Sequence, residues 1–355
     1  MARTSERSQR GGHSGVSIED VAAAAGVSTA TVSRAVRGLP RVSPATRQKI
    51  LEVAGELGYV ASSSASGLAT GRTRTIGVLA PFVSRWFFSK AIEGADRELH
   101  ARNYNLSLFN LGGHGSNRER LFSKTMVYKQ IDALLVLCMA LSHDELEHLQ
   151  KIDIPLVVVG GHVEECSYIG IDDYAAASTA VRHLIDLGHR DIALLHGDDE
   201  TDLNFDVPRV RILAFKDVMT AAGLPTRPEW DEWGDFTVHS GQEAFRRLWA
   251  KPGNKPTAIF CASDEMAMGV IFEASRLGVP VPEELSVVGI DNHDFADAVG
   301  LTTVGQRPDE QAELATKMLL DELDGEAGAV QSAVAPHELI IRRTTAPPPS
   351  QRPNP

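Results

Sequence analysis

Thr29, Ala30, Ser33 and Arg34 stand within the short run VSTATVSR, where hydroxyls, methyls and one guanidinium recur at helical spacing. Such groups on one outward helix face suit hydrogen bonds to phosphate oxygens and base edges, not covalent chemistry. Bond-making signatures are missing elsewhere. The chain contains no GxGxxG, no GxxxxGK[ST] and no GxSxG. The run HDELEH sets His143 and His148 five apart, which does not put both on one helical face as HExxH does, so it reads as a solvated helix. The glycine-rich LGGHGSN (111–117) lacks phosphate-loop spacing and reads as a loop. With no nucleophile–base constellation, the chain is not expected to be an enzyme, and no cofactor or metal is expected.

The elements around Arg34 are short and rich in alanine. Ser17 is placed to cap a first helix whose apolar positions are Ile18, Val21, Ala22 and Ala25. Gly26 then supplies a turn where positive φ costs little. Ser28 caps a second helix, 29–36, burying Val32 and Ala35. Two short helices joined by a glycine turn form the helix-turn-helix pattern, whose second helix enters the major groove. Arg34 can reach phosphate or guanine from there. Ser43 and Pro44 open a third helix with an expected buried stripe of Ile50, Val53, Ala54 and Leu57, ended by Gly58.

Charge is unevenly spread. The net charge is −12, yet residues 1–75 carry ten Lys/Arg against five Asp/Glu. A basic head on an acidic body points to a polyanion partner at the head. Three distant cysteines without a CxxC pair read as reduced thiols. The polar start and the lack of any long apolar run predict no secretory signal and no membrane span, hence a cytoplasmic protein.

From Thr75 onward apolar runs alternate with helical patterns. TIGVLAP, NLSLFN, DALLVLC, PLVVVG, DIALLHG, AIFCAS and LSVVGI read as buried strands, with amphipathic stretches at 87–102, 173–187 and 263–277. Repeated strand–helix units predict parallel sheets covered on both faces, and their number predicts two lobes with a ligand cleft beyond the strand ends.

The stretch SIEDVAAAAGVSTATVSRAVRGLPRVSPATRQKILEVAGELGYV resembles the DNA-binding head of the lactose-repressor (LacI) family of bacterial transcription regulators. The stretches CASDEMAMGVIFEASRLGVPVPEELSVVGIDN and LTTVGQ resemble the same family's effector-binding core, which has a type I periplasmic-binding-protein fold. The resemblance implies an N-terminal all-α helix-turn-helix head and an α/β two-lobed core, together running from about Ser17 to Arg343. By it, Thr29 and Ala30 read bases, while Ser17, Ser28, Thr31, Ser33, Arg34, Val42 and Ser43 hold or support the DNA backbone. Arg37 stands where the family usually has asparagine, and Arg41 follows in the loop; both add positive charge. Leu68 matches the hinge leucine that wedges into the minor groove. The usual Asn-Pro before that hinge is Ala61-Ser62 here, and Gly67 weakens a hinge helix.

The implied organisation is a disordered basic tail (1–16), the head (17–59), a hinge linker (60–74), the core (75–345) and a disordered tail (346–355). Lobe one is expected at about 75–172 and 304–333, lobe two at about 173–303 and 334–345. The resemblance further implies effector contacts at Arg211, Ser263, Asp264, Asp291, Phe236, Phe87 and Gln306. Asp264 serves equally well as an N-cap, and the two phenylalanines suit a core as well as a sugar face. Acids mixed with one arginine favour a neutral polyol. The expected protein is a homodimeric repressor of carbohydrate-use genes, binding a palindromic operator in double-stranded DNA under control of a small sugar. The competing readings are a regulator sensing a nucleobase or phosphorylated metabolite, a solute-binding protein, and a sugar-processing enzyme with a DNA-binding head.

Overall fold

Small side chains set the geometry of the amino-terminal unit. The computed structural model describes residues 16–36, 39–59, 72–112, 115–122, 130–161, 166–197, 206–325 and 332–349. The chain divides into two compact units, Met1–Thr73 and Arg74–Pro355. In the first, helices α1 (Ile18–Ala25), α2 (Thr29–Val36) and α3 (Pro44–Leu57) close around Val21, Ala25, Val32, Ala35 and Ile50. Alanines at these positions let three short helices approach without a bulky core. Gly26 takes φ +68° between α1 and α2, where a β-carbon would be strained. Ser17 and Asp20 form a reciprocal capping box. The expected stripe of α3 is shorter than the sequence implied: Ile50 and Ala54 are buried, but Leu57 is exposed. Gly58 ends the helix one residue later. Arg37 and Leu68 lie outside the described residues.

The second unit holds two six-stranded sheets. The first has strands β1 (Thr75–Ala80), β2 (Asn105–Asn110), β3 (Ala133–Leu137), β4 (Leu156–Val159), β5 (Ser167–Ile171) and a late strand, Ser332–Ala335. Its order runs from that late strand through β5, β4, β3 and β1 to β2, all parallel. The second sheet has β6 (Ile192–Gly197), β7 (Asp231–Gly234), β8 (Ala258–Cys261), β9 (Ser286–Asp291) and β10 (Thr302–Gly305), plus Glu338–Ile340 paired antiparallel to β10. The central strands β3, β4 and β8 are apolar along their whole length because helices cover both faces.

All seven strands expected from apolar runs are present. Five others, including β5, β7 and β10, are interrupted by Ser, Thr, Gly or an acid and gave no continuous apolar run. The chain passes between the sheets three times: at Asp172, at 306–307 and at 336–337. Because β10 lies wholly in the second sheet, the middle crossing falls two residues later than the sequence suggested. The disordered tail expected from 346 is also corrected at its start. The Ala346 carbonyl accepts from Ser286 Oγ at 3.0 Å and faces the buried His189 ring at 2.8 Å. These bonds tie the chain end to the second sheet.

Candidate DNA-reading face and effector cleft

In the head, Thr29, Ala30 and Arg34 are exposed on α2, while Thr31 and Ser33 are half-buried. The hydroxyls of Ser28 and Thr31 lie 2.9 Å apart, and Ser28 Oγ accepts the Thr31 amide at 3.2 Å. The same pairing recurs at Ser43 and Thr46. These serines fix the starts of α2 and α3, so the backbone amides there are aimed before any DNA arrives. Arg41 is exposed at φ +71°. Val42 packs against the head core instead of standing free, and so supports the loop from beneath. Arg47, whose role no local motif signals, donates to the Leu39 carbonyl and holds the α2–α3 connection.

In the second unit, a cleft opens between the carboxyl ends of the two sheets. This is where parallel α/β sheets place ligands. Phe87, Arg211, Phe236, Ser263, Asp291 and Gln306 all line it. Each follows from its element. Phe87 opens helix α4 (Trp86–Ala101) after β1, Phe236 follows β7, Ser263 follows β8, Asp291 ends β9, and Gln306 is the crossing residue after β10. Phe236 fits because Gly197 has no β-carbon; one there would overlap the ring. Phe236 and Asp291 both have positive φ, 50° and 139°. Such backbone strain gathers at ligand sites.

Asp264 does not line the cleft. It is completely buried, accepting the Thr303 hydroxyl at 2.7 Å and the His293 amide at 2.9 Å. Ser263, not Asp264, caps the helix Asp264–Leu277 through the Met266 amide. Asp264 thus ties that helix to β10 and to the loop after β9, and its sequence-based place among the effector contacts is corrected.

Both arginines of the cleft are already matched. Arg211 Nε and Nη2 donate to Asp173 Oδ1 at 2.9 and 2.6 Å, and Nη1 donates to the Ala262 carbonyl. Burial works against the Arg211 charge, but Asp173 and Asp291 outweigh it and raise its pKa. Asp291 Oδ1 accepts from Gln306 Nε2 at 2.7 Å. Burial pushes the carboxyls of Asp291 and Asp264 up, and it raises Glu265 to about 7 with help from the Asp291 charge. Arg85 lies 3.4 Å from the Phe82 ring centre and bonds Asp235 across the cleft at 2.6 Å. Arg85, Cys138, Asp173, Glu265 and Gln311 join the lining without having been foreseen. Only the contact between the two sheets reveals them.

Residues 17–62 match the family described as bacterial regulatory proteins, lacI family, and residues 181–345 match a periplasmic binding protein-like domain. Catabolite control protein A of Priestia megaterium is 35% identical over 93% of this chain and 99% of its own length. The chain belongs to the LacI family. The HTH-type transcriptional repressor CytR of Escherichia coli (strain K12) is also 35% identical, over 92% of this chain and 96% of its own. These LacI-family relatives are DNA-binding transcriptional regulators and not enzymes. The lac repressor dimer bound to operator and the anti-inducer ONPF shares the fold, with a TM-score of 0.79 at 24% identity over 94% of this chain and 100% of that one. A complex of the transcriptional regulator CelR with cellobiose matches at 0.67 and 27% identity, over 93% and 99%. Among the described residues no helix is long and apolar enough to cross a membrane, and no group of His, Cys, Asp and Glu is arranged to hold a metal ion.

Proposed function

We propose that this LacI-family protein is a sequence-specific repressor of carbohydrate-use genes whose operator affinity is set by a neutral sugar in the cleft. The DNA contacts are those of the head: Thr29 and Ala30 on base edges, with Ser17, Ser28, Thr31, Ser33, Arg34, Arg37, Arg41 and Ser43 along the backbone, Val42 beneath and Leu68 at the hinge. A homodimer on a palindromic operator suits this arrangement, since two-fold protein symmetry is mirrored in the site. Effector coupling of about 1–3 kcal/mol is the ordinary range for such control.

The observation that carries the sugar reading is the charge and hydrogen-bond character of the cleft. Two arginines face three carboxyl groups in its lining, and both arginines already have acid partners. A phosphorylated metabolite would find both of these cations already engaged. A neutral polyol instead gives its hydroxyls to Asp291, with Phe87 and Phe236 against its apolar face. The cellobiose bound by the CelR relative supports the same class.

Calorimetric titration with cellobiose, ribose, adenine and glucose 6-phosphate tests this. Binding of a neutral sugar, lost in Asp291→Asn, is the expected result. Binding of adenine or the phosphate alone would overturn it.

A further inference from the structure

Gln311 lies in the first turn of the helix Pro308–Leu323, is 2% exposed and lines the cleft. Among the described residues no group reaches its Oε1. A buried amide oxygen without a partner is costly, and such atoms mark either strain or a place for a ligand donor.

The orientation of this amide follows from its neighbours. Gln306 lies 2.7 Å from the Asp291 carboxylate and must turn its NH2 toward it. The Gln306 oxygen therefore faces away and accepts from Gln311 Nε2 at 3.4 Å. With both amides fixed in sequence from Asp291, Gln311 presents an acceptor to the cleft, not a donor. Asp291 ends a strand of the second sheet, while the Gln311 helix packs on α4 of the first lobe. Gln306 is the crossing between them.

We propose that Gln311 is a specificity residue whose free carbonyl accepts a hydrogen bond from an effector hydroxyl. That hydroxyl belongs to the same neutral ligand that Asp291 holds. The ligand then touches both lobes, and a Gln306 relay joins its two anchors. The cleft selects against a carbonyl, ether or carboxylate oxygen at this position, because two acceptors would face each other without a proton. The proposal rests on reading the cleft as the effector site.

The test uses the full-length protein, a panel of neutral mono- and disaccharides that includes glucose, ribose and cellobiose, and the variants Gln311→Met, Gln311→Leu and Asp291→Asn. Calorimetry first finds the sugars that the wild-type protein binds. Gln311→Met and Gln311→Leu should then bind the best of them at least about tenfold more weakly, the worth of one buried hydrogen bond. In the absence of sugar both variants should unfold close to the wild-type temperature, since they delete an unpartnered buried oxygen but also take the long 3.4 Å donor from Gln306 Oε1. Deoxy analogues sharpen the result: one position should cost the wild type about tenfold and cost Gln311→Met nothing.

Undiminished binding in both Gln311 variants, with binding lost in Asp291→Asn, overturns the role of Gln311 and leaves the cleft reading intact. A wild type that binds no member of the panel overturns the cleft reading and this proposal with it. Variants that unfold further below the wild type than the loss of that one long bond allows contradict the claim that the oxygen is unpartnered.

Discussion

Replacing Arg211 by methionine keeps most of the side chain's length and removes its charge and its donors. The structure gives the consequence. Two of the lost hydrogen bonds end on Asp173, whose side chain is 13% exposed, and a third ends on the Ala262 carbonyl. Breaking a buried pair from one side leaves the other charge unmatched, which typically costs about 3–5 kcal/mol. The slight exposure of Asp173 argues for the lower end, about 3 kcal/mol. In a unit of this size each kcal/mol moves the midpoint by about 2 °C, so Arg211→Met should melt about 6 °C lower. Asp173→Leu combined with Arg211→Met removes both charges and leaves the Ala262 carbonyl short of a donor, a cost of about 1–3 kcal/mol. The double variant should therefore be more stable than the single one. Thermal unfolding followed by circular dichroism at pH 7 measures both. A single variant within about 1 kcal/mol of wild type, or a double variant less stable than it, would refute the view that this arginine is first a structural cation.

Gly197→Ala should push Phe236 off its seat, lowering stability by about 1–3 kcal/mol and weakening sugar binding; unchanged calorimetry would contradict the contact. The raised carboxyls of Asp264, Glu265 and Asp291 bind protons more tightly in the folded state than in the unfolded one. Their contribution is full below the ordinary carboxylate range and is lost as pH rises through about 7, the value for Glu265. Unfolding scans from pH 5 to pH 8 should show stability falling, and Glu265→Gln should flatten that fall; an identical slope would refute the assignment. Arg34→Ala should weaken operator binding and leave unfolding of the second unit unchanged. If Arg34 contacts a phosphate, the variant should also reduce the salt dependence by about one ion, as read by fluorescence anisotropy across a salt series.

The head was legible because its information is local. Ser17, Gly26, Ser43, Pro44 and Gly58 each act on residues within a turn of themselves, and the sequence places them at the same ends as the structure does. The central strands were legible because helices on both faces demand unbroken apolar runs. What escaped was long-range. Asp264 looks the same in sequence whether it meets a ligand or Thr303, which lies 39 residues away. Gln311 reads as an ordinary polar residue in the first turn of a helix, and only the crossing at Gln306 turns it into the cleft. Asp173 was absorbed into a helix start, although its carboxylate neutralises Arg211 across the helix pair. The strands β7 and β10 are as short as β4 and β8 but carry acids, threonines and glycine in place of an apolar run.

The function proposed for this protein is sequence-specific DNA binding under the control of a sugar. Selection from random duplex DNA by the purified full-length protein at physiological salt, followed by sequencing, tests it most directly, run with and without the saccharide panel. An enriched two-fold symmetric motif, whose recovery changes when the bound sugar is present, is the expected result. Failure to enrich any motif under either condition would contradict it.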